Sequence, residues 1–466
     1  MKLSYSKTLL LTLLPVMGTS VYAAESLAQS DTVDGDHAYE TVSHTDQKKD
    51  GYILGDGWKI NGDLRVGYVT YDYSNPASHF DANGDRVPTY PNVNKGHTDS
   101  NGIYMMPKIS ITSPDFNGFS FKITGAAATD FGINDELDEA RTFAFGDGEP
   151  YAILQEAYVK YVNGGHLFLA GNYELSTPMV DADDWYLLAN TFQGAYYKNT
   201  TIENIMFAGG YIYKMAGVWD GGAPDAHKYN SIAEQSYVDQ RDKDNAGDAG
   251  MWAGVFQYKE GAHDFQLWDY YAVDLYNTFF GQYDYSGKFE GGTYDAGAQI
   301  INFKDVGGNM YTPIDYSIFS LKFDGKFDNG FDFSTGAAFY TDGPGAGATL
   351  GAWGGYPYIA NGMIFHFFEA GDMRNVKSYK AQLGYDLSQS VTDGLWIGAR
   401  FTYFDLNPEY SISSDTGLGQ EDQKNYGIRV SYNHPDGYYF TGTYEYVDLD
   451  QQPEISALRL IGGYKF

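Results

Sequence analysis

Arg65, Arg400, Arg429 and Arg459 share one local pattern. Each is flanked on both sides by apolar residues, in segments where apolar side chains recur at every second position. Lys108, Lys122, Lys160, Lys322 and Lys380 follow the same pattern. A period of two sends neighbouring side chains to opposite faces of a strand, so these cations share a face that the apolar residues avoid. Guanidinium and ammonium groups in such a row can hold a carboxylate or phosphate weakly and pass it on. They can equally brace a wall by pairing with acids such as Asp63, Asp405 or Glu445. A second cluster lies in the segment 176–190, where Asp181, Asp183 and Asp184 stand beside Trp185 and Tyr186. Folded into a pore, they would set negative charge and aromatic walls at a constriction. Left outside, they would be a solvated loop.

Other chemistry is poorly supported. Asp81, Asn83 and Asp85, and Asp242, Asp244 and Asp248, have carboxylates and amides at calcium-like spacing, but neither run completes a loop with a closing bidentate Glu. The nine histidines are scattered without a zinc signature. No nucleophile elbow, nucleotide loop or other catalytic frame is visible. The expectation is therefore no enzyme activity, no catalytic residue, no metal and no cofactor.

The elements that must carry the cations are strands. The chain ends Leu458, Leu460, Gly462, Tyr464, Phe466 on alternate positions, with Arg459, Ile461, Gly463 and Lys465 between them. Such a strand, with an aromatic terminus, suits the last strand of an outer-membrane barrel, which assembly machinery reads. From Trp58 onward alternating segments recur, eighteen in all, over residues 57–466. Short turns include 115–118, 163–165, 199–201, 260–261, 328–330 and 435–437. Long segments intervene at 73–100, 131–150, 176–190, 215–248, 343–376 and 407–422. Counting from the first strand puts every long segment on one rim, the outside, and returns Phe466 to the other, periplasmic rim. The reading is an all-β, transmembrane antiparallel barrel with short periplasmic turns and long extracellular loops.

Composition points the same way. The chain has 43 Tyr, 29 Phe and 56 Gly with no Cys, which suits strands, interfacial girdles and tight turns, and excludes disulfides. Residues 1–23 have the form of a cleaved signal: Lys2 and Lys7, a short apolar run from Leu9 to Val16, and cleavage after Ala23. That run is too short to span a bilayer as a helix, and no later stretch reaches about 20 apolar residues. Residues 24–56 are acidic and aperiodic and read as a mobile periplasmic extension. The net charge of −31 disfavours nucleic acid as a partner and must reside in loops, tail and lumen.

At 171–194 the sequence resembles the loop after the fifth strand in the OprD-type substrate-specific porins. Gly171, Thr177, Pro178, Asp184, Thr191, Phe192 and Gly194 fit that pattern, while Asn172, Tyr173, Tyr186 and Ala189 depart from it. The strand count extends the resemblance over roughly 57–466, and the branch found in Campylobacterota is the nearest. The resemblance implies a monomeric or homotrimeric barrel in the outer membrane of a Gram-negative cell. It also implies a third outer loop that folds inward and a basic ladder on the wall. The expected partners are outer-membrane lipid and lipopolysaccharide, the barrel-assembly machinery through Phe466, and small solutes such as organic acids, amino acids and ions. The competing readings are a barrel hydrolase and a non-conducting surface adhesin.

Overall fold

The computed structural model describes residues 51–53, 55–73, 79–80, 86–87, 100–134, 150–183, 187–217, 228–235, 249–308, 313–347, 349–365, 372–412, 419–450 and 454–466. The signal, nearly all of the acidic extension, both calcium-like runs, and Asp184, Trp185 and Tyr186 lie outside the described residues.

Eighteen long strands form one closed antiparallel barrel. In chain order they are β1 Lys59–Tyr73, β2 Ser100–Thr112, β3 Phe119–Ala128, β4 Tyr151–Asn163, β5 His166–Tyr173 and β6 Thr191–Ile202. There follow β7 Ile205–Ala216, β8 Met251–Glu260, β9 His263–Ala272, β10 Tyr276–Phe289, β11 Gly292–Asp305 and β12 Asp315–Phe327. The last six are β13 Phe331–Tyr340, β14 Lys377–Asp386, β15 Leu395–Asp405, β16 Asp422–Asn433, β17 Tyr438–Leu449 and β18 Ile455–Lys465. Each strand pairs with the next, and β1 pairs with both β2 and β18, so no edge is left open.

The seam is closed by the end of the chain. Gly62 N donates to Phe466 O at 2.9 Å and Phe466 N donates back to Gly62 O at 3.0 Å. A Cβ on Gly62 would lie 2.1 Å from Phe466 Cζ, so glycine makes room for the terminal ring. Most short turns sit where the sequence places them. One does not: β6 continues through Asn199–Thr201, and the chain reverses at Glu203–Asn204. There Asn204 takes a positive φ of 62°, while the Asn199 carboxamide bonds Thr201 within the strand.

Alternation fixes the two faces. Phe319, Leu321 and Phe323 of β12 are exposed, and Ile318 and Ser320, of the opposite parity, are buried. In β16, Tyr426 and Ile428 point out, and Asn425, Gly427 and Arg429 point in. Aromatics on the outer face form a belt near the rim that holds Phe466. It runs through Phe119–Tyr161 (ring centroids 4.5 Å apart), Phe168–Tyr197 (4.7 Å) and Tyr438–Tyr464 (4.7 Å). The inner face is divided. From β5 to β13 it is mainly apolar and aromatic, with Trp268, Tyr270, Phe280, Ile301, Tyr316 and Ile318 in one cluster. From β14 through β18 to β3 it carries Lys380, Arg400, Arg429, Glu445, Arg459 and Arg65.

Candidate functional site

The segment joining β13 to β14 lies far from where a solvated outer loop would be. All of residues 349–365 are buried. The segment runs across the inner wall, meeting a new strand every two to four residues. Thr349 Oγ1 is 2.7 Å from Tyr316 Oη on β12, and Trp353 stacks on Tyr276 of β10 with ring centroids 5.0 Å apart. Gln299 Nε2 of β11 donates to Pro357 O at 2.8 Å. Ile359 covers Gly336 of β13, where a Cβ would come 2.5 Å from Ile359 Cγ2. Thr402 Oγ1 of β15 donates to Asn361 O at 2.8 Å. Phe365 meets Tyr71 of β1 edge-on at 5.8 Å. The sequence reading put 343–376 outside. Its Trp353, Tyr356, Tyr358, Ile359, Met363, Ile364 and Phe365 are too apolar for a solvated loop, and burying them is the reason for the difference.

The segment after β5 lies against this one. Val180 bridges Gly354, and Asp181 N donates to Trp353 O at 3.1 Å. A tight turn is tied by Thr177 Oγ1, which donates to Val180 O at 2.8 Å and accepts from Tyr270 Oη of β9 at 3.0 Å. Asp181 and Asp183 are partly buried, and Asp183 O accepts from Asn190 N at 3.0 Å. Leu187 and Leu188 pack with Val69, Tyr104 and Met106 on β1 and β2. Gln155 Nε2 donates to Ala189 O at 2.8 Å. Tyr229, ahead of β8, donates its hydroxyl to Gln155 O at 2.5 Å, and burial pushes its phenol up to about 12.

Every one of the nine basic residues picked out in the sequence is on the inner face. Strand register places Arg400 and Glu445 in one row, with Gly427 between them. Arg429 and Arg459 occupy the row two residues nearer the Phe466 rim, with Thr443 between them. Arg65 is two rows further on. Lys380 lies one row to the other side of Arg400, beside Thr402.

The partners of these cations are specific. Arg65 donates to Asp63 at 3.2 Å, to Tyr439 Oη at 3.1 Å and to Leu187 O at 2.9 Å. Arg400 donates twice to Gln382 Oε1, at 2.8 and 2.6 Å, and reaches Asn361 O at 3.4 Å and Gly362 O at 3.3 Å. Arg429 donates to Thr443 Oγ1 at 3.0 Å and Met363 O at 3.5 Å. Lys108 pairs with Glu174 at 2.9 Å, Lys122 with Glu156 at 2.6 Å, and Lys322 with Asp284 at 3.2 Å. Lys160 is half-buried beside Ser120 and Leu169.

Two of the proposed acid partners are placed otherwise. Asp405 is on the outer face, 2.9 Å from Lys377, because it shares parity with Phe401 and Tyr403. Glu445 accepts backbone N–H groups of the crossing segment. Two further features were missed. Lys198 of β6 is a further inner-face cation, buried beside Leu167 and Ala208; Asn199 and Thr200 after it break the alternation that would have revealed it. The apolar half of the inner face was also missed, because Leu, Ile and Phe on both faces look like one continuous run.

No family model matches the chain, and no curated protein matches it. Its fold is that of several solved structures. OccK9 (OpdG) of Pseudomonas aeruginosa superposes with a TM-score of 0.69 at 15% identity, over 89% of this chain and 99% of that one. OccAB3 of Acinetobacter baumannii gives 0.68 at 14% identity, over 88% and 99%. OccK8 (OprE) of P. aeruginosa gives 0.67 at 16% identity, over 89% and 99%. The barrel fold is shared with all three.

Proposed function

We propose that the chain is an outer-membrane porin that lets small hydrophilic solutes diffuse through a constricted channel. One observation carries this reading: the closed ring is apolar and aromatic outside and carries charged rows inside, the reverse of a water-soluble barrel. Only a bilayer suits such an outer face, and only a closed ladder satisfies the strand backbone there. One similar solved structure is the outer membrane protein OpdK of P. aeruginosa, and OpdK has also been crystallised with vanillate, a carboxylate. The resemblance at 171–194 supports the OprD type and its Campylobacterota branch.

In this reading residues 1–23 direct export and are removed, and 24–56 extend into the periplasm. Phe466 presents the last strand to the assembly machinery, and lipopolysaccharide and lipid surround the outer face. The protein works as a monomer or homotrimer. The nine inner cations offer a track for organic acids and amino acids, and Asp181, Asp183, Asp184, Trp185 and Tyr186 narrow it. Cations near the midplane of the lipid face would cost about 2–4 kcal/mol, so an inward cation alone is no evidence of transport; clustering by row is what supports it.

The test is liposome swelling with purified, folded protein and a panel of carboxylates, amino acids and neutral sugars, followed by single-channel reversal potentials. Swelling that depends on solute size and charge is expected. Folded protein that neither swells liposomes nor conducts would leave the adhesin reading. Turnover of lipid or peptide substrates would favour the hydrolase.

A further inference from the structure

On the inner wall, Glu445 has its carboxylate engaged by main-chain donors of the crossing segment. Met363 N donates to Glu445 Oε1 at 2.9 Å, Phe365 N donates to Oε2 at 2.7 Å, and Ile364 N also donates to Oε2. Asn425 Nδ2 donates to Oε1 at 3.1 Å and to Phe365 O at 2.7 Å. Glu445 is 1% exposed. Successive backbone N–H groups converging on one point make an anion receptor, and here the barrel's own side chain fills it. Gly362 lets the chain come this close: a Cβ there would lie 2.6 Å from Glu445 Oε1 and 2.2 Å from Phe365 O.

We propose that the backbone N–H groups of 363–365, with Asn425, form a carboxylate receptor whose occupancy holds the crossing segment against the wall. Glu445 is its resident, tethered ligand. A carboxylate free in solution fits the same donors once Glu445 is removed. The inference rests on the porin reading only where it speaks of conduction; the receptor itself is a property of the fold. Hydrogen bonds to a charged acceptor are the strong ones, and leaving three buried N–H groups without one would release the segment.

The experiment uses the full mature chain in detergent and in bilayers. Peptide-resolved hydrogen exchange of 355–365 is compared in wild type, Glu445→Ala and Glu445→Gln, with sodium chloride or sodium acetate at equal ionic strength. In Glu445→Ala the segment should exchange roughly tenfold faster or more, and acetate should restore much of the protection. Glu445→Gln should be intermediate, since one amide oxygen remains to accept. Conductance should follow: larger and noisier in Glu445→Ala, returning toward wild type with acetate.

The chain has no Cys, so Gly336→Cys with Ile359→Cys gives a disulfide lock without competing thiols. Oxidised in the Glu445→Ala background, that lock should restore the wild-type conductance. Unchanged exchange in Glu445→Ala, or loosening that acetate does not reverse, would overturn the receptor. A raised conductance that persists under the lock would also overturn it. If no variant conducts yet the exchange pattern holds, the porin reading fails and the receptor stands.

Discussion

The two halves of the inner wall hold the same crossing segment by different physics. Over β10–β13 the contact is mainly packing, with only neutral hydrogen bonds from Gln299 and Tyr316: Trp353 lies on Tyr276 at 5.0 Å, Ile359 over Gly336, and Tyr358 is buried among the aromatics. Over β14–β17 it is hydrogen bonding: Arg400, Thr402, Arg429, Asn425 and Glu445 each engage main-chain atoms of 361–365. Packing is strong but non-directional, and a filled apolar surface offers nothing to a passing ion. Hydrogen bonds to charged groups are directional and can be exchanged for a solute's. One half therefore fixes where the segment lies, and the other is where it can be tuned.

The largest effect should come from the packed half. Trp353→Ala removes a fully buried ring, a change worth about 3–5 kcal/mol in a core that cannot collapse. The strand ladder is untouched, so the barrel should still form and resist detergent, while hydrogen exchange shows 349–365 losing protection. A variant whose segment stays protected would show that the hydrogen-bonded half alone is sufficient and would undo the comparison.

Next is the basic half. Arg400→Gln with Arg429→Gln removes two charges but keeps polar groups able to bond Asn361 and Met363. Anion permeability relative to cations should fall, read as a shifted reversal potential, with screening confining the effect to about 8 Å at physiological salt. If reversal potential and carboxylate uptake are unaltered in a folded variant, the arginines are braces for the segment and not a track.

Smaller is Asp181→Asn with Asp183→Asn, which should favour anions modestly without changing the fold, because Asp183 is held through its main chain. Smallest is Lys322→Gln. Lys322 is paired with Asp284 in the other half of the inner face, three strands from Arg400, and its loss should shift selectivity less than either arginine substitution. A shift as large as the arginine pair's would mean that the track runs along both walls.

Strand number, rim parity and the inward placement of the nine cations were legible in the sequence, because a period of two is imposed by the pleat itself. Arg429 between Ile428 and Val430 leaves little choice. What covers those cations was not legible. The path of 349–365 is set by contacts with strands scattered over the chain, such as Gln299 and Glu445, and no local period encodes such contacts. Its apolar composition could have signalled burial, though not against which wall. Glu445 in particular reads in sequence as an acid for a neighbouring arginine, and only the approach permitted by Gly362 gives it three N–H groups instead.

The bond pair between Gly62 and Phe466 also governs how the molecule comes into being. The first barrel strand finds its second neighbour only when the last residue of the chain has arrived. Until then β1 and β18 each present a row of unpaired donors and acceptors, an invitation to pair with other chains. Ring closure between the two ends is a contact of extreme sequence separation, the slow kind. The open sheet must therefore be kept apart from other chains until both ends have met, and a chain cut short before β18 would leave an open, sticky sheet instead of a smaller barrel.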